Sequence, residues 1–243
     1  MNHDTSKQDA NSMHHPLMNI QLPGIANANS YGTQAPQPQE PYYPHMNNAP
    51  IQRMREMTID EMLLENRIIF LVGEINHQSA TNVIMRLLHL QNTKPGVDIH
   101  LYINSPGGAV DDTLAMYDTM NFLNCDVNTY CIGKAMSGGA VVLAAGTKGK
   151  RYSLPHAKVM IHQPYGGVYG QTTDVQIQAE EILKTKDLLN NLLARHTGQT
   201  PETIADDSER DKFFSAQEAK AYGLVDEVIE KRPDEKKKST HSG

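Results

Sequence analysis

The chain has 243 residues, 39% of them hydrophobic and 21% charged, which is enough for one large domain with a tail. Lys+Arg number 22 against 28 Asp+Glu, and the net charge of −6 argues against a protein that works by gripping nucleic-acid phosphates. Two cysteines rule out a disulfide framework, and no run approaches the ~20 apolar residues a membrane helix needs.

The first residues, MNHDTSKQDANSMHHP, lack the apolar core of a secretory signal. Cys125 and Cys131 read as reduced thiols, so a cytoplasmic protein with no membrane association is expected. Residues 1–55 carry Pro16, Pro23, Pro36, Pro38, Pro41, Pro44 and Pro50 among Asn, Gln and His, with no helical or strand period. They read as a mobile extension with too little apolar surface to offset ordering entropy. His3, His14, His15 and His45 lack ligand spacing, so no metal is expected.

Residues 56–230 read as the folded domain. Thr58 to Leu64 predicts a short helix and Ile68 to Val72 a strand. A helix follows, carrying Val83, Ile84, Leu87, Leu88 and Leu90. Next come a strand at Asp98 to Ile103, a helix at Asp112 to Leu123, a strand at Asp126 to Ile132 and a short buried helix at Ser137 to Ala145. Strand character returns around Tyr152 to Leu154 and Val159 to Ile161. Strands alternating with helices predict an α/β fold with largely parallel pairing. Asp174 to His196 predicts a long helix apolar on more than one face, which calls for several packing neighbours. Thr200-Pro201 opens another helix, and Ser215 with Glu218 has capping-box spacing for one reaching Tyr222. Leu224 to Ile229 is strand-like, and 231–243 is a charged, flexible tail.

Chemistry concentrates at a few points. In Gly133-Lys134-Ala135-Met136-Ser137-Gly138-Gly139-Ala140, a serine stands between a strand and an apolar helix. Small neighbours let a substrate backbone approach, and the free N–H groups of a helix start suit a developing oxyanion. An ordinary serine cap is the competing explanation. His162 ends an apolar strand, with Pro164 stopping its continuation, a position that suits a base. Asp206, Asp207, Glu209 and Asp211 compete as the orienting carboxylate; Asp211 precedes Phe213-Phe214, which can carry it into a buried corner. Asn104-Ser105-Pro106-Gly107-Gly108 ends a strand and can donate a backbone N–H. No nucleotide-binding glycine motif is present.

INSPGG at 103–108, GKAMSGGA around the serine, KGKRYSLP at 148–155, MIHQP at 160–164 and SERDKFFSAQEAKAYGLVD at 208–226 occur together in one order. In these segments, from Met57 to Ile229, the chain resembles the ClpP family of Clp protease proteolytic subunits. The resemblance implies a crotonase-like α/β fold with a protruding long-helix handle. It implies two stacked heptameric rings, of one or more subunit types, enclosing a chamber that cuts unfolded proteins. It assigns Ser137 as nucleophile, His162 as base, Asp211 as orienting carboxylate, and the Gly108 and Gly138 amides as the oxyanion hole. Pro164, Tyr165, Gly166 and Gly167 match the segment that aligns substrate. The stretch GGVYGQ and the long helix match the handle, and Glu209-Arg210 matches a ring contact. No cofactor is implied for this chain; ATP belongs to an AAA+ unfoldase of the ClpX, ClpA or ClpC type. That partner's loops would dock near Leu88, Tyr102, Phe122, Tyr130, Ile132, Tyr152 and Leu154.

Two departures stand out. Family members commonly have Ser-Met-Gly where this chain has Ser137-Gly138-Gly139, which puts the oxyanion hole and the first specificity pocket in question. The N-terminal extension is also longer than usual. A non-catalytic ClpR-like subunit of a mixed ring is the alternative the first departure keeps open. A crotonase-type acyl-CoA enzyme is disfavoured by the ordered Ser, His and Asp.

Overall fold

The computed structural model describes residues 56–167 and 169–230. The readings of 1–55 and 231–243, including the four N-terminal histidines, lie outside these residues. Thr58 opens α1 (Ile59–Glu65) with a reciprocal cap: its hydroxyl accepts from the Glu61 N–H at 3.2 Å, and the Glu61 carboxylate accepts from the Thr58 N–H at 2.8 Å. There follow β1 (Ile68–Val72), α2 (His77–Thr93), β2 (Ile99–Ser105), α3 (Val110–Phe122), β3 (Val127–Met136), α4 (Gly138–Ala144), β4 (Arg151–Ser153) and β5 (Lys158–Ile161). The chain continues through α5 (Thr172–Thr197), α6 (Pro201–Asp207), β6 (Lys212–Ser215), α7 (Ala216–Tyr222) and β7 (Glu227–Val228).

The expected parallel α/β arrangement is present. Among the described residues seven strands form one sheet, with β1, β2, β3, β4 and β7 in that order and every neighbour parallel. β3 changes partner along its length. Thr129 to Cys131 pair with β4, whereas Lys134 to Met136 pair with β5. That second half explains why β3 runs on to Met136, past the expected stop at Ile132. The sequence reading also missed β6, which pairs antiparallel to β5. Of the expected strand from Leu224 to Ile229, only Glu227–Val228 is paired; Leu224 and Val225 are core residues instead.

Burial alternates strictly along β2, as a strand with one face in the core requires. Ile99, Leu101 and Ile103 point inward with Ile69 and Leu71, and meet Val83 and Leu87 of α2 and Met116 of α3. Each such side chain contributes about 1.5–3 kcal/mol on burial. α4 is buried from Gly139 to Ala144, which is why its sequence is small and apolar throughout. The outer face carries a different set. Phe70, Tyr102, Tyr130 and Tyr152 stand in register on four neighbouring strands. Their rings stack with centroid spacings of 5.4, 4.5 and 5.0 Å.

α5 divides into two halves. Asn190, Leu192, Leu193, Ala194 and Thr197 are buried, whereas no residue from 172 to 189 is. Ile177, Leu183 and Leu188 are exposed on that first half, as is Tyr169 before it. No helix among the described residues is long and apolar enough to cross a membrane.

Candidate active site

Three parallel strands end together, and the candidate residues lie just beyond them, where open α/β sheets place their ligand crevices. The last pair of β3 with β5 is Met136 with Met160. One residue on, the Ser137 N–H donates to the Met160 carbonyl at 2.9 Å. His162 follows Ile161, the last residue of β5. The shared register therefore delivers serine and histidine to one edge.

β6 supplies the third group. It pairs Lys212 with Ile161, so Asp211 and His162 are the next residues beyond that pair. His162 Nδ1 and Asp211 Oδ1 are 2.9 Å apart. A carboxylate only accepts, so Nδ1 carries the proton and Nε2 is left as the acceptor. Two of the neighbouring acids are otherwise engaged. Asp207 pairs with Lys212 and accepts from the Tyr222 hydroxyl, while Glu209 pairs with Lys186 of α5 at 3.5 Å. Gln163 ties the two sides together: its N–H donates to the Ser208 carbonyl at 2.7 Å and its side chain to the Glu209 carbonyl at 3.1 Å. One expectation needs correcting. The Asp211 side chain is 58% exposed in the single chain, not held in a buried corner. Phe214 is buried but Phe213 points outward, because the two alternate across β6.

Ser137 is held unlike an ordinary cap. Its φ of 53° and ψ of −124° are a strained conformation for a side-chain-bearing residue, costing about 1–3 kcal/mol. Its hydroxyl makes no capping hydrogen bond to α4. A sharp strand-to-helix turn of this kind presents a hydroxyl outward rather than toward its own helix. Among the described residues Ser137 Oγ forms no hydrogen bond to His162. Such pairs are often long before substrate binds.

The glycine loop closes the site. Ile75 brackets Gly108, its N–H donating to the Gly107 carbonyl at 2.8 Å and its own carbonyl accepting from Ala109 at 2.9 Å. A Cβ on Gly108 would lie 2.0 Å from the Ile75 carbonyl oxygen, and one on Gly107 would lie 2.7 Å from the Ser137 Cβ. Only glycines let these backbones approach so closely. Among the described residues the N–H groups of Gly108 and Gly138 donate to no protein acceptor.

Two adjoining depressions share Gly108, Val110, Ser137, His162 and Pro164. The open one, about 380 Å³, also meets Gly107 and Tyr165. Tyr165 stands edge-on to the His162 ring at 5.4 Å. The deeper one, about 30 Å³, is walled by Thr113, Gly138, Val141, Ile161 and Leu193, with Asn190 among them. Gly166 and Gly167 lie on the exposed segment beyond. A larger depression, about 750 Å³ between α1 and α2, holds no serine beside a histidine and lies away from these residues.

The residues expected to dock a partner divide by place. Tyr102, Tyr130 and Tyr152 belong to the stacked row, which also contains Phe70, an exposed residue the sequence reading left out. Strand register could have found it, since Phe70 stands opposite Tyr102. Ile132 follows Tyr130 by two along β3. Leu88 and Phe122 are exposed on helices, and Leu154 packs partly into the core.

The family model for Clp protease matches residues 51–232. ATP-dependent Clp protease proteolytic subunit 1 of Rhodopirellula baltica is 54% identical over 178 residues, which cover 73% of this chain and 78% of that protein. With the model spanning well over half its length and a relative this similar, the chain belongs to the Clp protease family.

Proposed function

We propose that in this serine peptidase, the proteolytic subunit of an ATP-dependent Clp protease, Ser137 is the nucleophile, His162 its base and Asp211 the carboxylate that orients the base. The observation that carries this is the 2.9 Å contact of His162 Nδ1 with Asp211, at the same strand edge as a strained serine. Ser137 Oγ attacks a peptide carbonyl carbon while His162 Nε2 takes its proton. Negative charge gathers on the carbonyl oxygen, which the Gly108 and Gly138 N–H groups receive. One such donor is worth about 3–4 kcal/mol in the transition state. The imidazolium then gives its proton to the leaving amine. Water, activated by the same base, hydrolyses the acyl-serine. Asp211 holds the tautomer and stabilises the cation.

Pro164 and Tyr165 line the open depression, Gly166 and Gly167 follow them on an exposed segment, and the four suit an extended chain laid alongside as an added strand. A peptidase fed with extended chains needs an unfoldase, and an AAA+ partner of the ClpX, ClpA or ClpC type supplies it with ATP. The aromatic row, exposed at Phe70 and half-buried at Tyr102 and Tyr152, forms its docking face together with the exposed Phe122. The first half of α5, with Ile177, Leu183 and Leu188 exposed, is the handle through which two seven-membered rings stack.

A fluorophosphonate probe tests the nucleophile. It labels the assembled wild type, while Ser137→Ala is unlabelled and loses peptide cleavage by about 10⁴-fold or more. An assembled wild type that takes no label favours the non-catalytic subunit. Tyr102→Ser tests the docking face: small-peptide cleavage persists and ATP-driven protein degradation is lost. Equal loss of both would assign Tyr102 to the fold instead.

A further inference from the structure

Gly138 follows the nucleophile, where a glycine promises backbone freedom, yet nothing in its own conformation asks for glycine. It opens α4 and is not among the residues with positive φ. The requirement comes from Thr113, in the first turn of α3. A Cβ on Gly138 would lie 2.3 Å from Thr113 Oγ1 and 3.2 Å from its Cγ2, with Ile75 Cδ1 at 3.3 Å. Thr113 cannot step aside. It is 1% exposed, and both its N–H and its hydroxyl donate to the Ala109 carbonyl, at 3.0 and 2.9 Å. That fixes its rotamer on a β-branched side chain that is already stiff.

We infer that Thr113 is a specificity-determining and positioning residue of this peptidase, an inference that rests on the assignment of Ser137 as nucleophile. From α3 it fills the volume that a side chain at 138 would fill from α4. The Gly138 amide is thereby clamped rather than loose. The pocket beside Ser137 is left at about 30 Å³ between Val110, Val141, Ile161 and Leu193. A pocket of that size and lining takes the side chain preceding the cleaved bond when it is small and uncharged, such as alanine, and disfavours leucine or phenylalanine.

The test uses the assembled full-length enzyme and fluorogenic peptides that differ only in that one residue. Wild type cleaves the alanine peptide with higher kcat/KM than the leucine or phenylalanine peptide. Thr113→Gly moves that ratio at least about tenfold toward the larger residues, the range a few methylenes command in an apolar pocket. Gly138→Ala, with Thr113 in place, loses about 10²-fold or more in kcat and labels slowly with fluorophosphonate. The double variant Thr113→Gly/Gly138→Ala regains activity to within about tenfold of wild type, because the collision is gone. The inference is overturned if Thr113→Gly labels at the wild-type rate with an unchanged ratio. It is also overturned if Gly138→Ala is fully active, or if the double variant regains nothing while Thr113→Gly assembles. A wild type that takes no label at all sinks the nucleophile assignment, and this inference with it; the former outcomes leave that assignment standing.

Discussion

Two carboxylates near the C-terminal end of the domain each hold a basic side chain from the sheet, and they are built in opposite ways. Asp226 grips Arg151, which is 1% exposed. Nε and Nη2 donate to its two oxygens at 2.9 and 2.7 Å, and the Gly149 and Arg151 N–H groups add two further bonds. The remaining nitrogen, Nη1, donates to the carbonyls of Ala144 and His196. Four of the five guanidinium N–H donors are engaged, and both carboxylate oxygens accept. Burial alone would raise the pKa of Asp226, but the hydrogen bonds and charge of Arg151 pull it below the usual carboxylate value. Asp211, by contrast, makes one contact with His162, is more than half exposed and leaves Nε2 available. The pair that holds the fold engages nearly every donor. The pair proposed to move a proton keeps one nitrogen unspent.

That contrast can be broken by exchanging the damage. Asp211→Asn should cost about 10³–10⁴-fold in kcat, because the wrong imidazole tautomer is then favoured. Its melting temperature should hardly move, since an exposed pair is worth about 0–1 kcal/mol. Asp226→Ala should do the reverse. Leaving Arg151 buried without its partner costs about 3–5 kcal/mol of stability, while molecules that remain folded keep their turnover. Chemical denaturation and active-site titration on both variants separate the two readouts. If Asp226→Ala loses turnover per labelled serine as heavily as Asp211→Asn does, the division between structural and catalytic pair is wrong.

The candidate site residues were legible in the sequence to different degrees, for physical reasons. Ser137 and His162 were legible because each stands at the end of an apolar strand whose period is local. The parallel α/β class followed from strands alternating with helices, and the Thr200 and Ser215 caps from hydrogen bonds spanning three residues. Asp211 could not be chosen among four acids without the resemblance. Its place depends on β6 pairing with β5, a contact between residues about 50 apart that no local pattern encodes. The strain at Ser137 was equally hidden, since a side-chain-bearing residue gives no signal of positive φ. The collision between Thr113 and Gly138 was hidden too, because it joins two helices. What sequence raised as a doubt about Gly138, packing turns into a constraint.

A smaller effect sharpens the comparison at its structural end. His196 lies beside the Arg151 clamp, its Nε2 3.0 Å from the Tyr117 hydroxyl. Burial first, then the positive charges of Arg151, Arg195 and Lys148, push its imidazole down to about 4. The folded state therefore holds His196 neutral where the unfolded chain, near 6.5, takes up a proton. Its contribution is fully present above pH 6.5 and is lost as pH falls from there toward 4. The Asp226 carboxylate, lowered from 3.8, loses its contribution at lower pH, from about pH 5 downward, so the two windows meet only at their edges. Thermal melts between pH 7.5 and 4.5 should fall by about 2–4 °C more for wild type than for His196→Gln, whose side chain has no proton to gain. Parallel curves for the two proteins would mean that His196 does not sense the clamp's charge, and that acid loosens this end of the domain through some other group.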